Sequence, residues 1–165
     1  MKKLFIIIMV LCLMSFFVFF AFLSQAGENL PSADGEKFWT YISKTNPYKS
    51  WGMWPGHERM YPGHSPHGAY VKLYANDIAL KAANKAGKAM PYGAILIKEN
   101  YDKDKKTLSV ITPMYKVKGF NPDGDNWFWA KYSPDGTPMQ VGKVGGCMNC
   151  HSVQKSRDWI FTEPK

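Results

Sequence analysis

The sequence predicts an α+β domain, an antiparallel β-sheet with flanking helices. Three observations predict it. Short segments between 69 and 132 alternate apolar and polar residues with a period of two, the signature of a sheet with one buried face. Turn-forming clusters such as Asn121-Pro122-Asp123-Gly124 and Pro134-Asp135-Gly136 separate them. Only two or three short stretches carry helical spacing, which denies the four long amphipathic segments of a helical bundle.

The chain has 165 residues, 45% apolar and 21% charged, which excludes a disordered polymer and fits a single domain. Lys2 and Lys3 precede an apolar run from Leu4 to Leu23, and Ser24-Gln25-Ala26 places small residues where a signal peptidase reads them. Residues 1–26 are therefore expected to be an export signal. The run is also about 20 residues long, enough to span a bilayer, so the alternative is an uncleaved membrane anchor. Cys12 follows Leu11 rather than a small residue, which argues against a lipid-anchored cysteine. Residues 27–35, polar with Pro31, read as a linker, and 36–165 as the domain. Either fate of the leader delivers that domain outside the cytoplasm, into a periplasm or an equivalent compartment.

Without Lys2 and Lys3, 19 basic residues face 13 acidic ones, and the basic set is almost all lysine, with Arg59 and Arg157 the two arginines. The lysines are dispersed, whereas nucleic-acid binding concentrates Lys and Arg on one element. The charge is read as solubility and steering of a redox partner protein, with no nucleic-acid partner.

Asp34 is placed to cap a helix with Phe38, Trp39 and Ile42 on one face, closed off by Pro47. From Pro47 to Gly68, prolines and glycines defeat regular structure, yet the stretch holds Trp51, Trp54, Met53, Met60, His57, His64 and His67. Such a loop is expected to wrap over something apolar. A strand follows from Ala69 to Tyr74, then a helix capped by Asn76 or Asp77 and ended by Gly87. Gly93 to Asn100 reads as a second strand. Thr107 to Lys118 reads as a third that Pro113 restricts to an edge or a bulge, and Trp127 to Tyr132 as a fourth.

The specific motif is Cys147-Met148-Asn149-Cys150-His151. Two thiols three positions apart reach the two vinyl groups on one edge of a haem, and the next residue brings an imidazole to the iron. One covalent haem c per chain is expected, held by Cys147 and Cys150, with His151 as iron ligand. A disulfide has no need of His151, and zinc would need a fourth ligand from His57, His64 or His67 without any second metal-type pair. Fourteen residues follow His151 and none is methionine, so the arrangement with a downstream methionine ligand is excluded.

The late motif, the segment from His67 to Asp77, the strand entry from Met90 to Glu99 and Asn126-Trp127-Phe128-Trp129-Ala130, in that order, resemble the cytochrome P-460 family and its relative cytochrome c-prime-beta. The resemblance covers roughly residues 36 to 162. It implies an antiparallel sheet with helices, a homodimer, a haem with one open or weakly held axial position, and a small nitrogenous ligand, nitric oxide or hydroxylamine. The hydroxylamine-oxidising members carry a lysine joined to the haem ring. Lys72 and Lys98 are the two candidates here; by strand parity Lys72 lies between Tyr70 and Tyr74, and Lys98 with Ala94 and Leu96 on a more apolar face. His67, which enters a family-like segment, is favoured over His57 and His64 as a distal acid, base or second ligand. Met53, Met60, Met90, Met114 and Met139 are alternative axial groups in an electron carrier, the rival reading to a ligand-binding or hydroxylamine-oxidising protein. Coordination state separates the two.

Overall fold

The structure is a computed structural model and describes residues 30–83 and 89–161. The expected leader, the start of the linker and the expected end of the second helix at Gly87 lie outside the described residues. The described residues from Pro31 onward form one compact unit. Among the described residues no helix is long and apolar enough to cross a membrane.

Helix α1 (Gly35–Thr40) starts where Asp34 accepts the backbone N–H of Lys37 at 2.9 Å, which satisfies one of the free donors of its first turn. It runs on as a π-helical turn, Tyr41–Thr45, and a 3-10 turn, Tyr48–Ser50. Phe38 and Ile42 are completely buried, as their spacing predicts. The long Pro- and Gly-rich segment wraps the sheet edge. It lends two short strands, β1 (Gly52–Met53) and β2 (Tyr61–Pro62), and both pair with β3 (Tyr70–Ala75). Trp54 between them is sealed against Leu73 and Ala79, with its backbone N–H donated to Leu73 O at 2.9 Å.

Helix α2 (Asp77–Ala83) is capped by Asn76, whose Oδ1 accepts Ala79 N and also Ile95 N, each at 3.0 Å. The same amide donates to Gly93 O at 2.8 Å, so one side chain fixes the helix start and the entry to β4 (Ile95–Tyr101). β5 (Leu108–Lys116), β6 (Trp127–Tyr132) and β7 (Pro138–Gly142) complete an antiparallel meander with the order β1-β3-β4-β5-β6-β7, and β2 also pairs with β3. Helix α3 (Gly145–His151) and a 3-10 turn, Ser152–Arg157, follow.

The expectation for Pro113 is corrected: β5 is an interior strand between β4 and β6. Pro113 pairs with Ile97 on β4, while the β5–β6 register runs from Ile111↔Tyr132 to Met114↔Trp129 and passes over Thr112 and Pro113. The missing N–H therefore falls where the ladder is already open.

Alternation along the strands divides the core in two. Ile95, Ile97, Ile111, Phe128, Ala130 and Tyr132 face α1, where Phe38 stacks on Tyr115 at 5.2 Å. Leu73, Leu96, Met114, Trp127 and Trp129 face the other way, toward α2, α3 and the turn that holds Trp159. Each fully buried Ile or Leu contributes roughly 1.5–3 kcal/mol, so both layers hold the sheet. The second layer is left incomplete beside α3, and there the site lies.

Candidate functional site

A cavity of about 260 Å³ opens between the sheet and α3. Its walls include Leu73, Leu96, Met114 and Trp129 from the sheet, Ile160 and Phe161 from the C-terminal segment, and Cys147, Cys150 and His151 from α3. Lys98 and His67 also line it.

β4 supplies Lys98. Leu73 is its cross-strand partner on β3 and Thr112 on β5, so the ammonium group lies on the cavity side of the sheet. Burial pushes its pKa down, since desolvation disfavours the charged form. Among the described residues no carboxylate pairs with it. Lys72 goes elsewhere. It pairs with Glu99, one residue out of phase with Lys98, and its Nζ sits over the Tyr101 ring at 5.4 Å on the opposite face.

His67 precedes β3 and reaches the cavity through Asn100, a completely buried amide. Asn100 Nδ2 lies within 3.2 Å of Lys98 O and 3.0 Å of both Val110 O and Thr112 Oγ1, while its Oδ1 accepts Gly68 N at 3.2 Å. That network leaves no freedom to flip the amide. Oδ1 must then accept from His67 Nδ1, 3.0 Å away, which puts the proton on Nδ1 and the lone pair on Nε2. Burial, then the nearby Lys98 charge, lower the His67 pKa to about 4, so the ring is neutral at pH 7. Of the other loop histidines, His64 is exposed and His57 packs its ring on Tyr61 at 4.4 Å.

The three motif residues ride on one helix, where positions three and four apart share a face. Cys147 and Cys150 are free thiols. Burial pushes the Cys147 thiol up. His151 is buried, and its Nδ1 lies 2.7 Å from Trp159 O, a pure acceptor, so Nδ1 carries the proton and Nε2 is free to ligate. Desolvation lowers the His151 pKa as well, which favours the neutral, metal-binding form. Its ring packs edge-on against Trp129 at 4.7 Å and Phe161 at 5.0 Å, and the His67 ring is 6.3 Å away. Among the described residues no three His, Cys, Asp or Glu side chains converge as a metal cage. Of the methionines, Met114 lines the cavity, whereas Met139 is exposed.

The family model for cytochrome P-460 matches residues 45–162, well over half of the chain. The chain belongs to the cytochrome P-460 family. No curated protein matches it. Membership makes the chain a haem cytochrome, and the cavity of this P-460 domain fits that group on its own evidence. Trp129 lines the cavity, and its Nε1 is fully buried with no acceptor among the described residues. A Cβ built at Gly145 or Gly146 would meet nothing within 4 Å, so the start of α3 leaves room beside the thiols. Cys147 and Cys150 would hold the porphyrin edge and His151 Nε2 the iron.

Sequence reasoning missed Asn100, Trp159 and the clearance at α3. An Asn inside a strand pattern carries no functional signal by itself, and Trp159 acts through its backbone.

Proposed function

We propose that this P-460 cytochrome carries one covalent haem c, which Cys147 and Cys150 would attach and His151 would ligate, and that it binds or oxidises nitric oxide or hydroxylamine at the open haem site, outside the cytoplasm. The observation that carries the reading is the meeting of Lys98 and His67 in the same cavity as the haem motif. Haem iron supplies a ligand position and one-electron chemistry. The rest belongs to the chain. His67 Nε2 is a lone pair placed to accept a proton from a bound N–H or O–H group. Burial of Lys98 disfavours its ammonium form, and so eases access to the amine that a bond to the ring would require. The apolar walls from Leu73, Leu96 and Met114 disfavour water in the cavity. A retained leader would tether the domain to a membrane, and a cleaved one would leave it free, with an acidic-surfaced redox protein as acceptor and a second copy of the chain as partner.

One observation favours a second reading. The neutral His67 imidazole, with Nε2 free beside the cavity, is also the group that would close the sixth position in an electron carrier without substrate. The test is an optical titration of the haem-loaded full chain. A ferrous spectrum that is high-spin and shifts with nitric oxide supports the proposal, as does hydroxylamine turnover with an electron acceptor. A low-spin, six-coordinate spectrum in both oxidation states with no response to nitric oxide assigns electron transfer instead.

A further inference from the structure

The carbonyl that orients His151 sits in an unusual piece of backbone. Trp159 has φ 66° and Asp158 before it φ 52°, two successive non-glycine residues in the left-handed region. Asp reaches that conformation more readily than most residues but Trp does not, so Trp159 at least is held there by its surroundings. The restraints converge on Asp158. Its Oδ1 is paired with Lys116 Nζ, and both side chains are 6% exposed. Its Oδ2 accepts the backbone N–H of Met90 at 2.7 Å, and its own carbonyl accepts Trp127 Nε1 at 3.0 Å. Lys116 reaches it from the end of β5, with Nζ over the Trp127 ring at 5.0 Å. On the far side of the turn, Trp159 N donates to Gln154 O at 2.8 Å, and Trp159 Nε1 to Asp125 Oδ2 at 2.6 Å.

A buried ion pair is costly to desolvate and is not needed for stability as such, because apolar residues of similar volume often serve as well. Here its acid sits one residue before the carbonyl that accepts the Nδ1–H hydrogen bond of the His151 imidazole. We propose that Lys116 and Asp158 are positioning residues for the proximal ligand: the pair holds the Asp158–Trp159 turn left-handed, and the turn aims Trp159 O at His151 Nδ1. A well-aimed acceptor on Nδ1 makes Nε2 a stronger donor, which favours ferric over ferrous iron. The pair of Lys116 on β5 and Asp158 in the C-terminal turn thereby sets the electronic character of a group on α3 that it never touches.

This inference rests on the haem reading, and the experiment separates the two. The haem-loaded full chain is compared with the double variant Lys116→Met, Asp158→Asn. That variant leaves no buried charge unpaired and keeps an acceptor for Met90 N. The readouts are the ferrous iron–histidine stretching band by resonance Raman, the midpoint potential, and folding by circular dichroism and denaturant titration. The expected result is a folded protein whose iron–histidine band moves to lower frequency. Its ferrous-to-ferric ratio at a fixed poise should rise several-fold toward tenfold, the latter being about 59 mV for one electron. Lys116→Arg, which keeps the charge but changes the reach, should give a smaller shift of the same sign. An unchanged band and potential in a folded double variant overturn the proposal, whatever happens to stability. If the double variant does not fold, wild-type values in Lys116→Arg assign the pair to stability alone and overturn it too, while a shifted band there sustains it. A wild-type chain with no haem absorption at all refutes the haem reading first and this inference with it.

Discussion

Lys98 and Glu99 are neighbours in β4, yet the lysine lines the cavity while the carboxylate, 1% exposed, is sealed on the opposite face. Glu99 accepts Tyr48 Oη at 2.7 Å and Tyr101 Oη at 2.7 Å, with Tyr74 Oη at 3.4 Å and Lys49 Nζ at 3.5 Å. The strand thus presents a cavity-lining amine on one side and a structural polar cluster on the other. Variants at adjacent positions should have unrelated phenotypes.

Glu99→Gln removes one of the two acceptor oxygens and sets an amide donor against a tyrosine hydroxyl. Burial and the Glu99 hydrogen bond both raise the Tyr48 pKa, so that hydroxyl has no ionised form to fall back on. Stability should drop by about 1–3 kcal/mol, read from urea unfolding, with the haem spectrum unchanged.

Lys98→Met keeps the volume and removes the amine. Haem attachment should survive, and hydroxylamine turnover should fall by roughly a hundredfold or more, the scale lost with a catalytic group. Lys72→Met, on the far face, should leave turnover within about twofold, as expected of a surface change. Steady-state assays of both variants, with mass spectrometry for a lysine-linked haem peptide, check the contrast.

His67 has a folded pKa of about 4 against an ordinary value near 6.5. Between those values the unfolded chain holds a proton that the folded one refuses, so stability rises with pH across this window and is lost on acidification through it. The span corresponds to about 3 kcal/mol. In a haem-free Cys147→Ala, Cys150→Ala background, denaturant midpoints from pH 4 to 7 should slope upward, and His67→Gln should flatten the slope.

Covalent attachment makes its own prediction. Acid-acetone should leave haem on the wild-type chain and extract it from the Cys147→Ala, Cys150→Ala variant. His151→Ala should keep the thioether links but change the ferric spectrum, because the imidazole that sets the iron's electronics is gone.

Much of this is legible in the sequence. Strand parity puts Lys98 with Leu96 and Lys72 with Tyr74, because the side-chain period is two and both strands carry the pattern. The cap at Asp34, a cap at Asn76 or Asp77 of which the structure uses Asn76, and all of β6 follow from local chemistry. What was not legible has physical causes. β1 and β2 are two residues each, too short for any period, and exist because β3 offers an edge. β7 is almost wholly exposed, with Met139 and Val141 turned to solvent, so no alternation marks it. Helix α3 opens with two glycines, which local propensity disfavours. Asn100 and Glu99 read as polar interruptions of a strand until their distant partners, Val110 ten positions and Tyr48 51 positions away, are in place.

The acceptor for His151 lies eight residues downstream of it, at Trp159. A chain interrupted between Ser152 and Asp158, by premature termination or by proteolysis, would keep the whole five-residue motif and every attachment thiol. It would still carry a histidine free to rotate, without a fixed tautomer. The motif is thus an incomplete address: its last letter is a backbone oxygen that no pattern of side chains encodes.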